Sequence, residues 1–248
     1  MMLRAIGPML GCLQQQAGLV VAVVILVLWM VSLTGLFAVD VTRVPISVIV
    51  LGVLLRTFLH TGLFIVTHEA IHGLIAKNRR TNGLMGQFAS FLYAFLHYKS
   101  LVRKHRLHHL YAATSRDPDF CTLHSENFLR WYVKFMQRYQ EGNQAWISVI
   151  GMTFTFCILA SVPVARLNIF LFWLVPLILS SLQLFTFGIF LPHRQVGEGD
   201  HDRHRTKSVN YSVFWSFITC YHFGYHLEHH RYPNLPWYKL PQAHQKST

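Results

Sequence analysis

The sequence predicts an all-α integral membrane protein with four transmembrane helices in two hairpins and a cytoplasmic helical cap that holds a histidine-rich dinuclear metal site. Only 13% of the 248 residues are charged, whereas soluble domains carry about a quarter. Four apolar runs are long enough to cross a bilayer. Sixteen histidines, most of them clustered, are the compositional outlier. We expect residues 1–248 to form a single membrane-embedded domain.

The four apolar runs comprise residues 19–39, 44–66, 147–165 and 167–191. The first exceeds the apolar core of a signal peptide, and no A-x-A cleavage site follows it, so we expect it to remain attached. Arg56 and His60 interrupt the second run, and Pro176 is expected to bend the fourth. Short links join the first run to the second and the third to the fourth, which predicts two helical hairpins.

The basic residues predict the orientation of these helices. Residues 67–145 and 192–248 contain 18 of the 22 Lys and Arg residues, and cytoplasmic segments carry such an excess. We therefore expect a multi-pass protein with both termini and the metal site in the cytoplasm. A nucleic-acid partner is not expected, because no RNA- or DNA-binding motif accompanies the charge. The four cysteines lie far apart without a CxxC spacing, so neither a disulfide framework nor a thiolate zinc site is predicted.

Histidines cluster at the ends of the apolar runs with spacings that place them on shared helical faces. Several imidazoles packed beside lipid are costly unless they have partners, and metal coordination satisfies them together. One such cluster alone is commonly incidental, but three clusters predict two metal ions with about four or five imidazoles each. The predicted ligands are His68, His72, His105, His108, His109, His193, His222, His226, His229 and His230.

Two other interpretations use some of these residues. The segment from His68 to His72 satisfies HExxH, the zinc-protease pattern in which the intervening glutamate activates water, but this leaves eight clustered histidines unexplained. A metal transporter or store uses the histidines, yet it requires ionisable ligands along a pathway through the membrane. Only Arg56 and His60 lie deep within a run. Imidazole ligands alone do not identify the metal.

The boxes HxxxH, HxxHH and HxxHH resemble those of the membrane histidine-box superfamily of desaturases, hydroxylases and ketolases. Particular segments are similar to the beta-carotene ketolase family of bacteria and cyanobacteria, from about residue 20 to residue 245. They are TGLFIVTH at 61–68, the run from His105 to Asp119, FLPH at 190–193, TCYHFGYHLEHH at 219–230 and YPNLPWYKLP at 232–241. In related desaturases Asn often stands at the position of His222.

The resemblance implies a non-haem di-iron oxygenase that converts the C4 methylene of beta-ionone rings to a keto group, as from beta-carotene to echinenone and canthaxanthin. Two O2-dependent hydroxylations and loss of water would accomplish this. The implied partners are a carotenoid from the lipid phase and an electron-donor protein such as ferredoxin, in a bacterial or cyanobacterial membrane. A beta-carotene hydroxylase or a fatty-acid desaturase on the same di-iron frame is the alternative.

Two carboxylates follow the second box, and we assign Asp117 and Asp119 to the catalytic site. Either can accept the free N–H of a ligating imidazole, although Asp and Pro also commonly build turns and helix caps. Glu69 and Glu228 adjoin predicted ligands and either serve the same role or face water. We expect His60 to make a polar contact inside the bundle.

Two further segments are expected at the membrane interface, one apolar but too short to span the membrane and one amphipathic. Residues 88–96 are expected to dip into the interface as a hairpin or to lie along it. Residues 125–139 predict an amphipathic helix, with Trp131, Tyr132, Phe135 and Met136 on its apolar face. We expect this face to dock on lipid, and contact with the polyene is the alternative.

Overall fold

The computed structural model describes residues 3–121, 127–162, 166–194 and 204–246, with side chains from residue 17 onward. All regular secondary structure within these ranges is helical. The helices are α1 Leu3–Phe37, α2 Ile46–Ile71, α3 Arg79–Ala94, α4 Tyr98–Tyr111, α5 Phe128–Tyr139, α6 Gln144–Ser161, α7 Arg166–His193, α8 Val213–Cys220, α9 His226–Arg231 and α10 Leu240–Gln245. This confirms the predicted all-α class.

Four helical segments are long and apolar enough to cross a membrane, namely Ala17–Phe37 of α1 and the whole of α2, α6 and α7. They coincide with the four predicted runs. The largest difference at a described boundary is in α2, which continues past residue 66 to Ile71. Residues 67–69 are polar, which ends the hydropathy signal, but they are buried and stay helical. The predicted end of the third run, at residue 165, lies outside the described residues.

Helix α2 is the centre of the bundle. It packs against α1, α3 and α7, and half of its most apolar stretch is buried by these neighbours. Helix α6 is the opposite case, because Ser148 is the only one of its residues that is buried. The helix that leads into the first histidine box therefore has the largest fraction of its apolar stretch buried among the four.

A buried arginine joins α2 to its neighbours. The Arg56 side chain is wholly buried, and its Nε donates to the Phe172 carbonyl at 3.0 Å. Its Nη1 donates to the Trp29 carbonyl at 2.6 Å. In a regular helix the Phe172 carbonyl would accept from residue 176, but Pro176 has no N–H. Arg56 thus supplies the donor that Pro176 lacks, beside a π-helical turn at Phe170–Leu174.

We expect Arg56→Met to lower the unfolding midpoint of the protein in detergent. The substitution leaves the Phe172 carbonyl buried without a donor, which costs about 1–3 kcal/mol. In a Pro176→Ala background residue 176 has its N–H again, so the same substitution should cost less. A double-mutant cycle measured by thermal unfolding tests this coupling, and equal losses in the two backgrounds would contradict it.

The polar contact predicted for His60 is present. The Trp29 Nε1–H donates to His60 Nδ1 at 3.2 Å, so the ring proton lies on Nε2. That nitrogen donates to the Tyr93 carbonyl of α3 at 2.9 Å. His60 therefore links α1, α2 and α3 and has both nitrogens satisfied away from the histidine boxes.

Residues 88–96 are not a short hairpin, as one of the two expectations had it. Most of them form the second half of α3, which packs along α2. Gly86 permits the close approach, since a Cβ there would lie 2.7 Å from the Ala70 Cβ. Phe95 ends the helix in a left-handed conformation, φ 56°, and reverses the chain into α4. A hydropathy run measures only the apolar part of such a helix.

Candidate metal centre

The first histidine pair lies at the C-terminal end of α2. His68 is in the last turn, and His72 caps the helix. Asn82 of α3 fixes this end, since its Nδ2 donates to the Ala70 carbonyl at 2.7 Å and its Oδ1 accepts from the Ile75 N–H at 3.1 Å. The polar end of a membrane-length helix is thus held at a defined position.

The second cluster lies on α4. His105 and His109 are four residues apart and share one face, whereas His108 projects about 100° away from His109. The helix ends at Tyr111, and the loop after it brings Asp117 back to His108. Two adjacent histidines therefore face different surroundings.

The remaining histidines come from two elements that meet the first clusters. His193 ends α7, and α9 carries His226, His229 and His230 within its six residues. The chain reverses just before α9, where His222 has a φ of 63°. The four elements converge at one end of the bundle.

Group A consists of four histidines whose ligand nitrogens lie within 4.8 Å of one another: His68, His72, His105 and His229. The Nε2 atoms of His72 and His105 are 2.7 Å apart. His109 joins this group, because its Nε2 lies 3.0 Å from the Nε2 atoms of both His105 and His229. Its ring also stacks on His230, with 4.3 Å between the ring centroids. His109 thus stands at the boundary with a second group.

Group B consists of four buried histidines that meet the same 4.8 Å limit: His108, His193, His226 and His230. The Nε2 atoms of His108, His226 and His230 lie 3.1–3.3 Å apart. The Nδ1–H of His193 donates to the Arg205 carbonyl at 3.1 Å, which leaves its buried Nε2 without a partner among the described residues. An orphaned acceptor nitrogen aimed into a histidine group is what a metal ligand requires.

Both groups have the spacing that a metal needs. Two imidazole nitrogens bound about 2.1 Å from one ion lie about 3.0 Å apart when they are at right angles. The nearest nitrogens within groups A and B are 2.7–3.3 Å apart. Each group can therefore hold one metal ion.

The protonation state of the rings favours the same role. Burial lowers the pKa of His72 to about 4. Burial and neighbouring imidazoles hold the pKa values of His229 and His230 well below the usual range. These rings are uncharged at neutral pH, the form that binds metals.

Asp117 orients a ring of group B. Its Oδ1 accepts from His108 Nδ1 at 3.0 Å, which directs the Nε2 lone pair of His108 into the group. Burial lowers the pKa of His108, but the Asp117 and Asp119 carboxylates outweigh it and raise the pKa to about 9. The same charge makes a ligating imidazole more basic. Asp117 thus has the orienting geometry expected from sequence, and it also shapes the turn, because its Oδ2 accepts from the Ala113 N–H at 2.9 Å.

Asp119 is placed differently from Asp117. Its Oδ2 is 3.6 Å from His108 Nδ1, beyond hydrogen-bond distance, and its Oδ1 accepts from the Tyr139 hydroxyl at 2.7 Å. Burial raises the pKa of Asp119 to about 6. The side chain lines a cavity beside the histidines, where it contributes one of the few polar groups.

His222 is the predicted ligand that the structure does not bring into either group. Its ring is stacked against Tyr225 and tilted against Phe217 and Trp237, at centroid distances of 5.7–5.9 Å. Its backbone has φ 63°, a conformation that Asn tolerates well. In the sequence His222 stands four residues before His226, as on one helical face, but the chain turns between His222 and α9 and does not continue as one helix.

We expect His222→Asn to retain the metal content of the wild-type protein, because the side chain lies outside both groups. Elemental analysis of the purified protein checks this. A metal content reduced by one ion per chain would instead make His222 a ligand.

Glu69 and Glu228 are both buried, which excludes the alternative that they face water. Glu69 Oε2 accepts from the Trp237 N–H at 3.4 Å. Glu228 Oε1 accepts from His244 Nδ1 at 2.9 Å, and its Oε2 accepts from the Ser208 hydroxyl. Both carboxylates thus tie α2 and α9 to the C-terminal segment.

A cavity of about 490 Å³ lies against the two groups and reaches His68, His105, His108 and His226. This volume is within the range of small-molecule sites, about 300–1,000 Å³. Its walls are mainly apolar and come from α2, α3, α5, α6 and α7. Val149 of α6 and Ile178 of α7 line it and are also more than half exposed. The cavity therefore opens between two membrane-length helices.

Helix α5 turns its apolar face inward, so the expectation that this face docks on lipid is wrong. Trp131 is buried against Phe185 and Phe190 of α7. Tyr132, Phe135 and Met136 line the cavity, which agrees with the alternative of contact with a substrate. The start predicted at residue 125 lies outside the described residues.

Sequence reasoning missed the groups that complete the cavity. Tyr139 and Gln140 end and cap α5 and line the cavity, and Arg138 Nη1 holds the neighbouring loop by donating to the carbonyls of Asp117 and Phe120 at 3.0 and 2.6 Å. The sequence indicates that these residues lie at the end of an amphipathic helix. It does not indicate that they lie close to Asp119.

The described residues form a helical protein with four membrane-length segments and two polyhistidine groups beside an apolar cavity. The family model described as "Fatty acid desaturase" matches residues 44–151 and 127–248. The chain belongs to this family, within which it is similar to carotenoid ketolases. No solved structure matches the chain.

Three curated relatives illustrate the similarity. A beta-carotene ketolase from Paracoccus sp. is 39% identical over 192 residues, which cover 77% of this chain and 76% of the relative. A zeaxanthin 4-ketolase from Chlamydomonas reinhardtii is 39% identical over 224 residues, covering 88% of this chain and 49% of the relative. A beta-carotene 4-ketolase from Haematococcus lacustris is 39% identical over 203 residues, covering 77% and 60%. These relatives confirm the resemblance drawn from the histidine boxes.

Proposed function

We propose that the protein is a carotenoid 4-ketolase, an O2-dependent oxidoreductase that converts the C4 methylene of beta-ionone rings to a keto group. One observation carries the proposal: two imidazole groups suited to metals line an apolar cavity that opens between membrane-length helices. The ketolase relatives supply the reaction, and the site supplies a place for an apolar ring beside two metals.

We assign one iron ion to group A and one to group B, with His109 as a further ligand of group A. Group A comprises His68, His72, His105 and His229, and group B comprises His108, His193, His226 and His230. When bound, the irons supply the oxidising power that activates O2. The chain holds the ligands in place, since Asp117 fixes the tautomer of His108 and the Arg205 carbonyl fixes that of His193.

The target carbon suits this site. C4 is allylic to the ring double bond, so its C–H bonds are weaker than those of an ordinary methylene. Each oxidation inserts one oxygen atom into a C–H bond and consumes one O2, two electrons and two protons, with the second oxygen atom leaving as water. Two oxidations at C4 give a geminal diol, which loses water to form the ketone.

The cavity contributes positioning and exclusion of water. Phe64, Phe135 and Leu177 are among its apolar wall residues, and apolar walls favour a hydrocarbon ring over water. The opening beside Val149 and Ile178 admits a substrate dissolved in lipid. The end that reaches His68, His105, His108 and His226 brings the ring carbon to the ligands of both groups.

The proposal includes a topology and an electron source. The four helices form two hairpins, and both termini and the histidine groups lie on the cytoplasmic side as a helical cap, which the excess of basic residues in segments 67–145 and 192–248 supports. A soluble electron-donor protein such as ferredoxin supplies the electrons.

The topology predicts which side of the membrane each hairpin turn faces. Cysteines introduced as Arg43→Cys and Arg166→Cys should react with a membrane-impermeant reagent from the non-cytoplasmic side only.

The test is expression in cells that accumulate beta-carotene, followed by mass analysis of the pigment. Two oxygens gained and four hydrogens lost indicate two ketones, the expected result. Oxygen gained without loss of hydrogen would make the enzyme a hydroxylase. Unchanged pigment with newly desaturated lipid would make it a fatty-acid desaturase.

The zinc-protease and transporter interpretations fit the site poorly. His68 and His72 share their group with His105 and His229, and four more histidines form a second group, whereas an HExxH protease uses a single zinc. Within the described membrane-length helices, Arg56 and His60 are engaged in hydrogen bonds with neighbouring helices. They do not mark a path for ions.

A further inference from the structure

The polar groups that line the cavity are mostly paired with other protein groups. The Tyr132 hydroxyl and Ser181 Oγ are 2.6 Å apart. Ser148 Oγ donates to the Ala94 carbonyl at 2.9 Å. These pairs leave little polarity for a ligand, which suits a hydrocarbon chain.

Gln140 is different. It lines the cavity, and its Oε1 is shielded from solvent without a hydrogen-bond partner among the described residues. Buried polar atoms normally have a partner, so an unpaired one requires an explanation. A ligand that brings a donor into the cavity provides one.

Gln140 also lies close in the chain to the metal end of the cavity. It directly follows Tyr139, whose hydroxyl donates to Asp119 at 2.7 Å. Asp119 in turn lies 3.6 Å from His108 of group B. A polar ligand group near Gln140 would therefore belong to the part of the substrate that approaches the metals, and this part is the ring.

We propose that the Gln140 amide binds a hydroxyl group on the substrate ring. This inference rests on the proposed ketolase function and deepens it. A hydroxyl both donates and accepts, so it pairs with either end of an amide. Two ring hydroxyls qualify: the C3 hydroxyl of a ring that was hydroxylated beforehand, and the C4 alcohol left by the first oxidation. C3 is bonded to C4, so both hydroxyls lie at the reacting end.

The experiment expresses wild-type protein, Gln140→Met and Gln137→Met in cells that accumulate beta-carotene and in cells that accumulate zeaxanthin, whose rings carry C3 hydroxyls. Methionine preserves the length of glutamine and removes both hydrogen-bonding groups. Gln137 is the matched control, because it lies one turn earlier on α5 and is exposed. In each culture the ratio of ketone to unreacted pigment is measured at matched protein levels, and the ratio from zeaxanthin is then divided by the ratio from beta-carotene. Gln140→Ala serves as a second variant.

Two results support the inference and identify the hydroxyl. If Gln140 binds the C3 hydroxyl, Gln140→Met should lower ketone formation from zeaxanthin relative to beta-carotene by about three- to tenfold, the loss expected for one hydrogen bond. If Gln140 binds the C4 alcohol, 4-hydroxylated pigment should accumulate from beta-carotene by a similar factor. Gln137→Met should produce neither change.

Other results overturn it. Wild-type protein that makes ketones while both Gln140 variants keep the wild-type substrate ratio and accumulate no alcohol overturns this inference alone. The same change in Gln137→Met also overturns it, since the effect would not be local to the cavity. Wild-type protein that forms no ketone overturns the proposed function and this inference with it.

Discussion

His230→Ala should abolish ketone formation and remove the metal of group B. His230 Nε2 lies 3.1 Å from the Nε2 atoms of both His108 and His226, so its loss opens the group at its centre. The product should fall below detection, at least about a hundredfold, and the iron content should fall by one ion per chain. Pigment analysis and elemental analysis of the purified protein measure the two effects.

The matched control is His97→Ala. His97 is exposed and lies outside both groups, so this variant should keep activity and iron. Full activity and full iron content in His230→Ala would show that group B is not a metal site. An equal loss in His97→Ala would show that the effect of His230→Ala is not specific to group B.

Asp117→Asn should weaken metal binding about 10- to 100-fold, the usual cost of losing a carboxylate that orients a ligating histidine. Both oxygens of Asp117 accept backbone N–H groups, Oδ1 from Asp119 at 2.8 Å and Oδ2 from Ala113 at 2.9 Å. An asparagine must therefore direct its NH2 group at one of these donors. The substitution misplaces His108 as well as removing charge. Iron retained during titration with a chelator measures the affinity.

Two comparisons sharpen this prediction. Asp119→Asn should weaken metal binding less, because Asp119 lies outside hydrogen-bond distance of His108. Asp40→Asn should leave metal binding unchanged, since Asp40 is paired with Arg43 in the exposed turn after α1. An Asp117→Asn protein that holds iron as tightly as wild type would contradict the orienting role.

Hydropathy located the four membrane-length helices because the signal is local. The hydropathy of a run of residues does not depend on what the run packs against. Hydropathy failed at the end of α2, where Thr67, His68 and Glu69 are polar but buried by other elements. It also does not distinguish lipid from a cavity. Both accept an apolar face, so the orientation of Trp131 and Phe135 on α5 depends on α7, which lies far away in the sequence.

The spacing of the histidines predicted that they act together, but it did not predict which of them belong to group A and which to group B. His108 and His109 are adjacent in the chain, yet one belongs to group B and the other joins group A, because successive residues on a helix point in different directions. His193 is distant in sequence from the other histidines of group B, and only the packing of α7 brings it into that group. His222 has the helical spacing from His226 in the sequence but lies apart in the structure, since its own left-handed backbone turns the chain before α9.

The proposed function depends on two irons bound in two imidazole groups. Anomalous diffraction at the iron absorption edge, from crystals of the iron-loaded protein, locates the metals. We expect two peaks, one within His68, His72, His105 and His229 and one within His108, His193, His226 and His230. A single peak, or a peak at the Asp117 and Asp119 carboxylates in place of group B, would contradict this expectation.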